Sequence, residues 1–600
     1  MKKSKYLSIL AGIALLAFTS CSDFLDKVPD TRVYLTTIEQ LRMLLVDGYM
    51  QSNYATVGEL SSDNLVDNNA PSDDGIRYNK AAYDRADDQL FAWEDVTYSN
   101  DNDTPSGVWS GCYGAIACAN AVLEKVEEFE AEGGDENGAF TQEDKNKLAA
   151  VKGEALLIRA FHHWVLCNVF CMPYAGPEKS KAIQGIPYIT KPENTVNPQY
   201  ERGTLAENYE MIEKDLLEGL PLIDDQIYEV PKYHFSKQAA NAFAARFYLW
   251  KREYDKTVEY ATAAFRGNDP ATMLSDIWTN DSFYYISDIG RYATSIERPN
   301  VWMCFASYST WWRRFVYSTQ NRYTCNREAQ RATIQGPGPT WENCRYSNSR
   351  TKKVFAMHPA FNGYCGSAGG QEYGSYYAGN CFEQFEYTDK IAGIGYCHEI
   401  RAEFTTEQTL LDRAEALLFL GRIDEAFEDL NIWDSERQNN LGGDDRMIPL
   451  TKAVIVDFYT RYEDLYRRNL GVDTLTNYID SIGFGIAKPI HLDEVCPSAQ
   501  YHVTPEILPY LQCVQHFRRI ETIHTGFRWF DVKRLGIELI HHIGRYNEEK
   551  VLKYDDPRRA IQIPYQVIAA GLEPNKREPV SDAGSSGAKV ISRSEYVMTH

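Results

Sequence analysis

Four large aromatic residues, Trp302, Tyr308, Trp311 and Trp312, fall within eleven residues of this chain. Arg313, Arg314 and Asn321 are interleaved with them, and Tyr323 and Trp341 follow. Flat indole and phenol rings cover apolar surface at little cost in side-chain entropy. Guanidinium, amide and carboxylate groups beside them supply directional hydrogen bonds. The mixture suits a ligand with C–H faces and a hydroxyl rim, which is the surface of a sugar, held on a preformed site. A second stretch repeats it: Asp63, Asn64, Asp67, Asn68 and Asn69 precede Arg77, Tyr78, Asn79 and Trp93. A plainer reading stands beside each. Trp302 is flanked by Val301, Met303 and Phe305, a setting typical of local core. Side chains of adjacent Trp311 and Trp312 point opposite ways in extended chain, so one of them is expected outward. The cluster at 63–69 is also turn chemistry, or a structural calcium site that lacks EF-hand spacing. No other cofactor is implied.

Catalytic signatures are missing by comparison. A glycosidase needs two carboxylates roughly 5–9 Å apart, and among 84 acidic residues such a pair can always be nominated. No Gly-x-Ser-x-Gly, His-Glu-x-x-His or Gly-x-x-x-x-Gly-Lys occurs. His162-His163 and His541-His542 lie in helical, aromatic settings and read as packing or surface histidines. The thirteen cysteines, six of them from Cys304 to Cys397, lack the paired close spacing of a zinc site. Cys167 and Cys171, four apart on a helix, read as packing. The chain is not expected to be an enzyme. A net charge of −22 argues against nucleic acid, whose phosphates need a basic surface.

The elements that would position these residues begin with an export signal. Lys2, Lys3 and Lys5 precede an apolar run from Leu7 to Phe18, then Thr19, Ser20 and Cys21. The run is shorter than the ~20 residues of a membrane span. Small residues before a cysteine form a lipoprotein box, so residues 1–20 are expected to be removed and Cys21 acylated. Acyl chains would hold the chain to a membrane at ~0.8 kcal/mol per buried methylene. The rest reads as mostly α. Helical periodicity places pairs at Gly153–Phe170 with Leu205–Leu220, Ser236–Trp250 with Tyr254–Phe265, and Glu407–Leu420 with Asp424–Trp433. An earlier pair uses Ile38–Val46 and Val108–Val126. Small residues that let two helices approach point to about four tetratricopeptide-like pairs. The expected scaffold covers 36–270, 404–435 and 505–545. Loop-rich insertions with few short strands are expected at 60–106, 271–403 and 442–504, in one domain from 21 to 600.

Several motifs together resemble the SusD/RagB family of outer-membrane nutrient-binding lipoproteins. They are Cys21-Ser22-Asp23-Phe24-Leu25-Asp26-Lys27-Val28-Pro29, Gly153-Glu154-Ala155-Leu156-Leu157-Ile158-Arg159-Ala160, Asp412-Arg413-Ala414-Glu415-Ala416-Leu417-Leu418 and Phe527-Arg528-Trp529-Phe530-Asp531-Val532-Lys533-Arg534-Leu535-Gly536. Ile563-Pro564 resembles the strand-like segment that closes such chains. The resemblance implies a lipid-anchored protein on the outer face of an outer membrane, with a glycan ligand. It implies a SusC-like TonB-dependent transporter as partner, to which the glycan is delivered. It also implies that ligand contacts come from the two aromatic-rich loop regions, brought together on one face: Trp311, Trp312, Trp341, Tyr308, Tyr323 and Trp302 from one, Trp93, Tyr78, Arg77, Asn68 and Asp67 from the other. Trp529 and Phe530 are expected in the core, with Arg528 paired to Asp531. A helical scaffold binding only proteins, or a surface glycosidase, are the rival readings.

Overall fold

The computed structural model describes residues 35–49, 52–70, 79–97, 102–193, 195, 198–274, 299–311, 314, 321–325, 329, 332–333, 336–340, 354–355, 381–439, 449–469 and 485–577. The fold is mostly α with few short strands, as expected. Helix Gln142–Phe170 begins at a capping box in which Thr141 accepts from the Asp144 N–H and the Asp144 carboxylate accepts from the Thr141 N–H. Its first turns are polar and exposed, which is why apolar periodicity locates the start only at Gly153. From Gly153 to Phe170 every residue is buried. Helix Pro105–Glu132 starts with Pro105 in its first turn behind the Thr104 cap and ends at left-handed Gly133. It packs along Gln142–Phe170, which in turn packs against Leu205–Gly219. Gly153 is required there: a Cβ on it would lie 2.9 Å from the Gly219 carbonyl oxygen. Helices Lys237–Lys251 and Tyr254–Ala264 pack together, as do Thr406–Phe419 and Ile423–Arg437.

A buried ionic network joins the late helices Thr406–Phe419, Leu508–Glu521 and Phe527–Arg534. Glu415 accepts from Arg518 at 2.7 Å and from Arg534 at 2.5 Å. Asp531 accepts from Arg534 at 2.8 Å, and Asp412 from Arg518 at 2.9 Å. Burial alone would raise the Glu415 pKa, but the Arg534 and Arg518 guanidiniums hold it down at about 2. Breaking one partner of such a network leaves an uncompensated buried charge, at a cost of ~3–5 kcal/mol. The expected Arg528–Asp531 pair is not formed. Arg528 turns instead to Asp63 at 2.8 Å, tying the early insertion to this frame. Lys533 donates to the last carbonyls of helix Gln142–Phe170, Asn168 and Cys171.

Other expectations need correction. The insertion at 442–504 contains an amphipathic helix, Lys452–Asn469, packed on Leu508–Glu521. His541-His542 lie on strand Leu539–Ile543, not on a helix. Ile563-Pro564 forms no strand, and Pro564 caps the short helix Tyr565–Ala569. The 271–403 insertion contains an antiparallel sheet in the order Val301–Tyr308, Ile394–Thr405, Cys381–Asp389. Cys112, Cys118, Cys167, Cys171, Cys496 and Cys513 carry free thiols. Among the described residues, no helix is long and apolar enough to cross a membrane.

Candidate binding face

The two aromatic-rich insertions meet along a polar seam. Val66 and Asp67 pair with Thr324 and Tyr323 as antiparallel strands. The Asn68 amide donates to the Thr324 hydroxyl at 2.9 Å and to the Asn321 carbonyl at 3.2 Å. Arg322 donates to Asp67 at 2.6 Å and to Asp88 at 2.9 Å, and the Tyr323 hydroxyl donates to Asp88 at 2.6 Å. Further along, Asp103 accepts from the Ser309 hydroxyl at 2.6 Å and from the Thr310 N–H at 2.9 Å. Arg314 lies on Asp87 at 2.9 Å.

This seam absorbs most of the residues proposed from sequence as ligand contacts. Trp311 is 0 % exposed, and its indole N–H donates to the His524 carbonyl at 2.8 Å. Trp302 is buried edge-on against Phe265 at 5.7 Å. Trp93 is buried with its N–H on the Ser61 carbonyl at 2.9 Å, and Tyr323 is enclosed against Phe91 at 4.6 Å. Asp67 and Asn68 are buried in the seam itself. None of these side chains offers a ligand an open face. An indole has the largest apolar area to remove from water, and Trp311, Trp93 and Tyr323 each also find a backbone or carboxylate acceptor for the polar end. Arg77, Tyr78, Trp312, Trp341 and the acylation position Cys21 lie outside the described residues.

Tyr308 behaves differently. It is 37 % exposed at the end of strand Val301–Tyr308, where the seam gives way to the open side of the sheet. Directly opposed residues of an antiparallel pair share a face. The register Tyr308↔His398, Gln384↔His398 and Glu386↔Tyr396 therefore sets these five side chains on one side. Phe305, Ser307, Glu399 and Arg401 face the other way and are buried, with Glu399 accepting from Asn53 at 3.0 Å. On the open side Tyr396 is 57 % exposed, and its ring centroid stands 5.9 Å from that of Tyr308 at 83°. The His398 ring lies 4.5 Å from Tyr308, and its Nε2 is 2.7 Å from Glu386 Oε2. Across the seam Tyr83 is 66 % exposed and stacked on the Arg314 guanidinium at 4.0 Å.

The open side thus carries two phenol rings, an imidazole, a carboxylate and an amide. Rings of this kind cover C–H faces while Gln384, Glu386 and the tyrosine hydroxyls address hydroxyl groups. Sequence reading found Tyr308 but missed Tyr83, Gln384, Glu386, Tyr396 and His398. The available signal was the period-two alternation of Gln384/Glu386 and Tyr396/His398, hidden in a segment read as aperiodic. Asp63 and Asp67, considered for calcium, are each occupied by cationic side chains: Asp63 by Arg528, Arg519 and Lys488, Asp67 by Arg322. Among the described residues no group of three His, Cys, Asp or Glu stands where it could hold a metal ion. A cleft of about 500 Å³ lies beside Trp93, lined by Asp95, Lys550, Arg558, Gln562, Asn575 and Arg577. Its polar groups are largely spent on one another, as where Arg577 meets Asp95 and Gln562 meets the Asn575 backbone.

Residues 23–249 match a SusD-like family model described as "Starch-binding associating with outer membrane". No curated protein matches the chain. Among solved structures, a SusD superfamily protein from Bacteroides thetaiotaomicron superposes with a TM-score of 0.53 at 17 % identity, covering 90 % of this chain and 100 % of that one. A SusD superfamily protein from Bacteroides vulgatus gives 0.52 at 12 % identity over 91 % and 100 %. A protein titled a putative sugar binding protein, also from Bacteroides vulgatus, gives 0.51 at 16 % identity over 91 % and 99 %. Residues 23–249 thus match a SusD-like family model, and the fold of the chain is similar to that of these solved structures.

Proposed function

We propose that the protein is a cell-surface lipoprotein that binds oligosaccharides or polysaccharides and passes them to a SusC-like TonB-dependent transporter. Acylation of Cys21 would hold it to the outer membrane, facing outward. The observation that carries the glycan reading is the open sheet side, where Tyr308 and Tyr396 stay exposed beside His398, Glu386 and Gln384 while nearby tryptophans are buried. The outer-membrane, starch-binding description of the matching family supports it. The reading is of binding without cleavage: Glu386 is the one carboxylate among the five side chains, and it faces His398 rather than a second acid.

A scaffold binding only proteins draws support from the same sheet, because Ile391 at the hairpin turn is fully exposed. Native affinity electrophoresis against a panel of polysaccharides separates the readings. Retention by at least one neutral polysaccharide, lost in Tyr308→Ala/Tyr396→Ala, supports the receptor. No retention by any favours the scaffold, and release of reducing ends favours a glycosidase. Co-purification of a β-barrel transporter with the acylated protein, absent in Cys21→Ser, tests delivery and anchoring.

A further inference from the structure

Tyr308 is the last residue of its strand. Beyond it the pairing continues as a long contact, the Ser309 N–H to the Cys397 carbonyl at 3.3 Å, against about 2.9–3.0 Å for an ordinary N–H···O bond. Side chains from the early part of the chain take over the hold. Asp103 is buried and accepts from the Ser309 hydroxyl at 2.6 Å, the Thr310 N–H at 2.9 Å and the Thr310 hydroxyl at 3.0 Å. Asn53, also buried, donates from its amide to the Ser307 hydroxyl at 2.8 Å and to Glu399 at 3.0 Å. Glu399 Oε2 lies 3.0 Å from the Ser309 hydroxyl, and Glu399 follows His398 in the chain. Tyr308 therefore stands between two serines that are each held from beneath, and its own ring leaves on the opposite side of the strand.

Both holding residues sit on rigid mounts. Asp103 precedes Thr104, whose hydroxyl caps helix Pro105–Glu132. Asn53 turns its Oδ1 to the Ala55 N–H at 2.8 Å, at the start of helix Ala55–Ser61. The Ser52 hydroxyl donates to the Asn102 carbonyl and joins the two mounts. A ring fixed in this way before a ligand arrives loses less freedom on binding. We propose, resting on the glycan reading of this face, that Asp103 is a positioning residue: it fixes the turn after Tyr308, so that the ring stands ready beside His398 and Tyr396. Asp103 itself is enclosed and acts only through the ring it places. Arg314 lies closer to Asp87, at 2.9 Å, than to Asp103, at 3.7 Å, so support of the Tyr83 ring does not hinge on Asp103.

The test is a double-mutant cycle read on native affinity gels cast with soluble starch, mannan or xylan. Both carboxylate oxygens of Asp103 are used, Oδ1 by Ser309 and Oδ2 by Thr310, and Asp103→Asn keeps the shape but offers one acceptor. Asp103→Asn should weaken retention about two- to fivefold, the cost of freeing one side chain, and no more than Tyr308→Ala does. In a Tyr308→Ala background it should weaken retention no further, because a residue that works through a ring has nothing to place once the ring is gone. A merely structural role gives effects that multiply. Multiplying effects, or unchanged retention in Asp103→Asn where Tyr308→Ala weakens it, overturn the positioning role and leave the receptor reading standing. Wild type retarded by none of the three polysaccharides, or full retention in Tyr308→Ala, overturns the glycan reading of the face and the positioning role with it. Should Asp103→Asn not fold, Ser309→Ala removes the hydroxyl between Asp103 and Glu399 and enters the same cycle with the same outcomes.

Discussion

The ionic frame of the late helices and the sheet of the large insertion use similar residue types in opposite ways. In the frame, Glu415, Arg518, Asp531 and Arg534 are buried and answer one another at 2.5–3.4 Å. In the sheet, Glu386 and His398 pair at the surface, and Tyr308 and Tyr396 keep their rings toward water. Trp311, three residues beyond Tyr308, returns to the interior. The most conspicuous residues, motif charges and tryptophans, hold the molecule together. Alternating tyrosines on an ordinary strand make the accessible surface.

Four experiments would break or sharpen this contrast. The largest effect is expected from Arg518→Met, which strips Glu415 and Asp412 of a shared cation and should cost about 3–5 kcal/mol in urea denaturation. A loss below about 1 kcal/mol would mean the network is not structural. Trp311→Ala should cost about 3–5 kcal/mol by opening a cavity and removing the hydrogen bond to the His524 carbonyl. Glycan retention per folded molecule should not change, and weakened retention would move the binding site into the seam.

Glu59 gives a pH-dependent test of the frame's edge. Burial raises its pKa from 4.5 to about 7, outweighing hydrogen bonds from the Gly526 N–H and Asn64. A carboxyl raised on folding stabilises below its unfolded value, and that contribution is lost as pH climbs through the folded one. Between about pH 4.5 and pH 7 the loss is on the order of 2–3 kcal/mol at ~1.4 kcal/mol per unit. Glu59→Gln should flatten the fall of the urea midpoint over that range; an unchanged slope would show that Glu59 ionises normally. The smallest change in stability belongs to Tyr308→Ala and Tyr396→Ala, within about 0.5 kcal/mol each. Each should nonetheless weaken glycan retention about fivefold, or ~1 kcal/mol. Full retention in the double variant would remove the sheet as the binding face.

Local order was readable in the chain because helices carry their own signals. Ile38–Val46 was placed with the bounds the structure shows, and Leu205–Gly219 and Tyr254–Ala264 to within one residue at the end. The late helix Lys452–Asn469 carries a weaker sequence signal because its stripe is narrow and its polar face rich in Arg, Asp and Glu. Signature motifs pointed to a shared fold because their residues build the frame: Arg159 to Asp215 at 2.7 Å, Glu415 to Arg518 and Arg534. Those partners lie tens to hundreds of positions apart, so spacing does not reveal the pairing: it favours Asp531 for Arg528, whose partner in the fold is Asp63.

Composition and periodicity determined the helical class, the aromatic wealth and the two regions worth watching. Which aromatic faces outward was decided only by tertiary structure. Exposure depends on what packs behind a strand: His524 claims Trp311, Phe265 claims Trp302, and nothing among the described residues covers the open side of Tyr396. Burial is a property of the assembled neighbours, and a tyrosine carries the same letters on either face of a sheet.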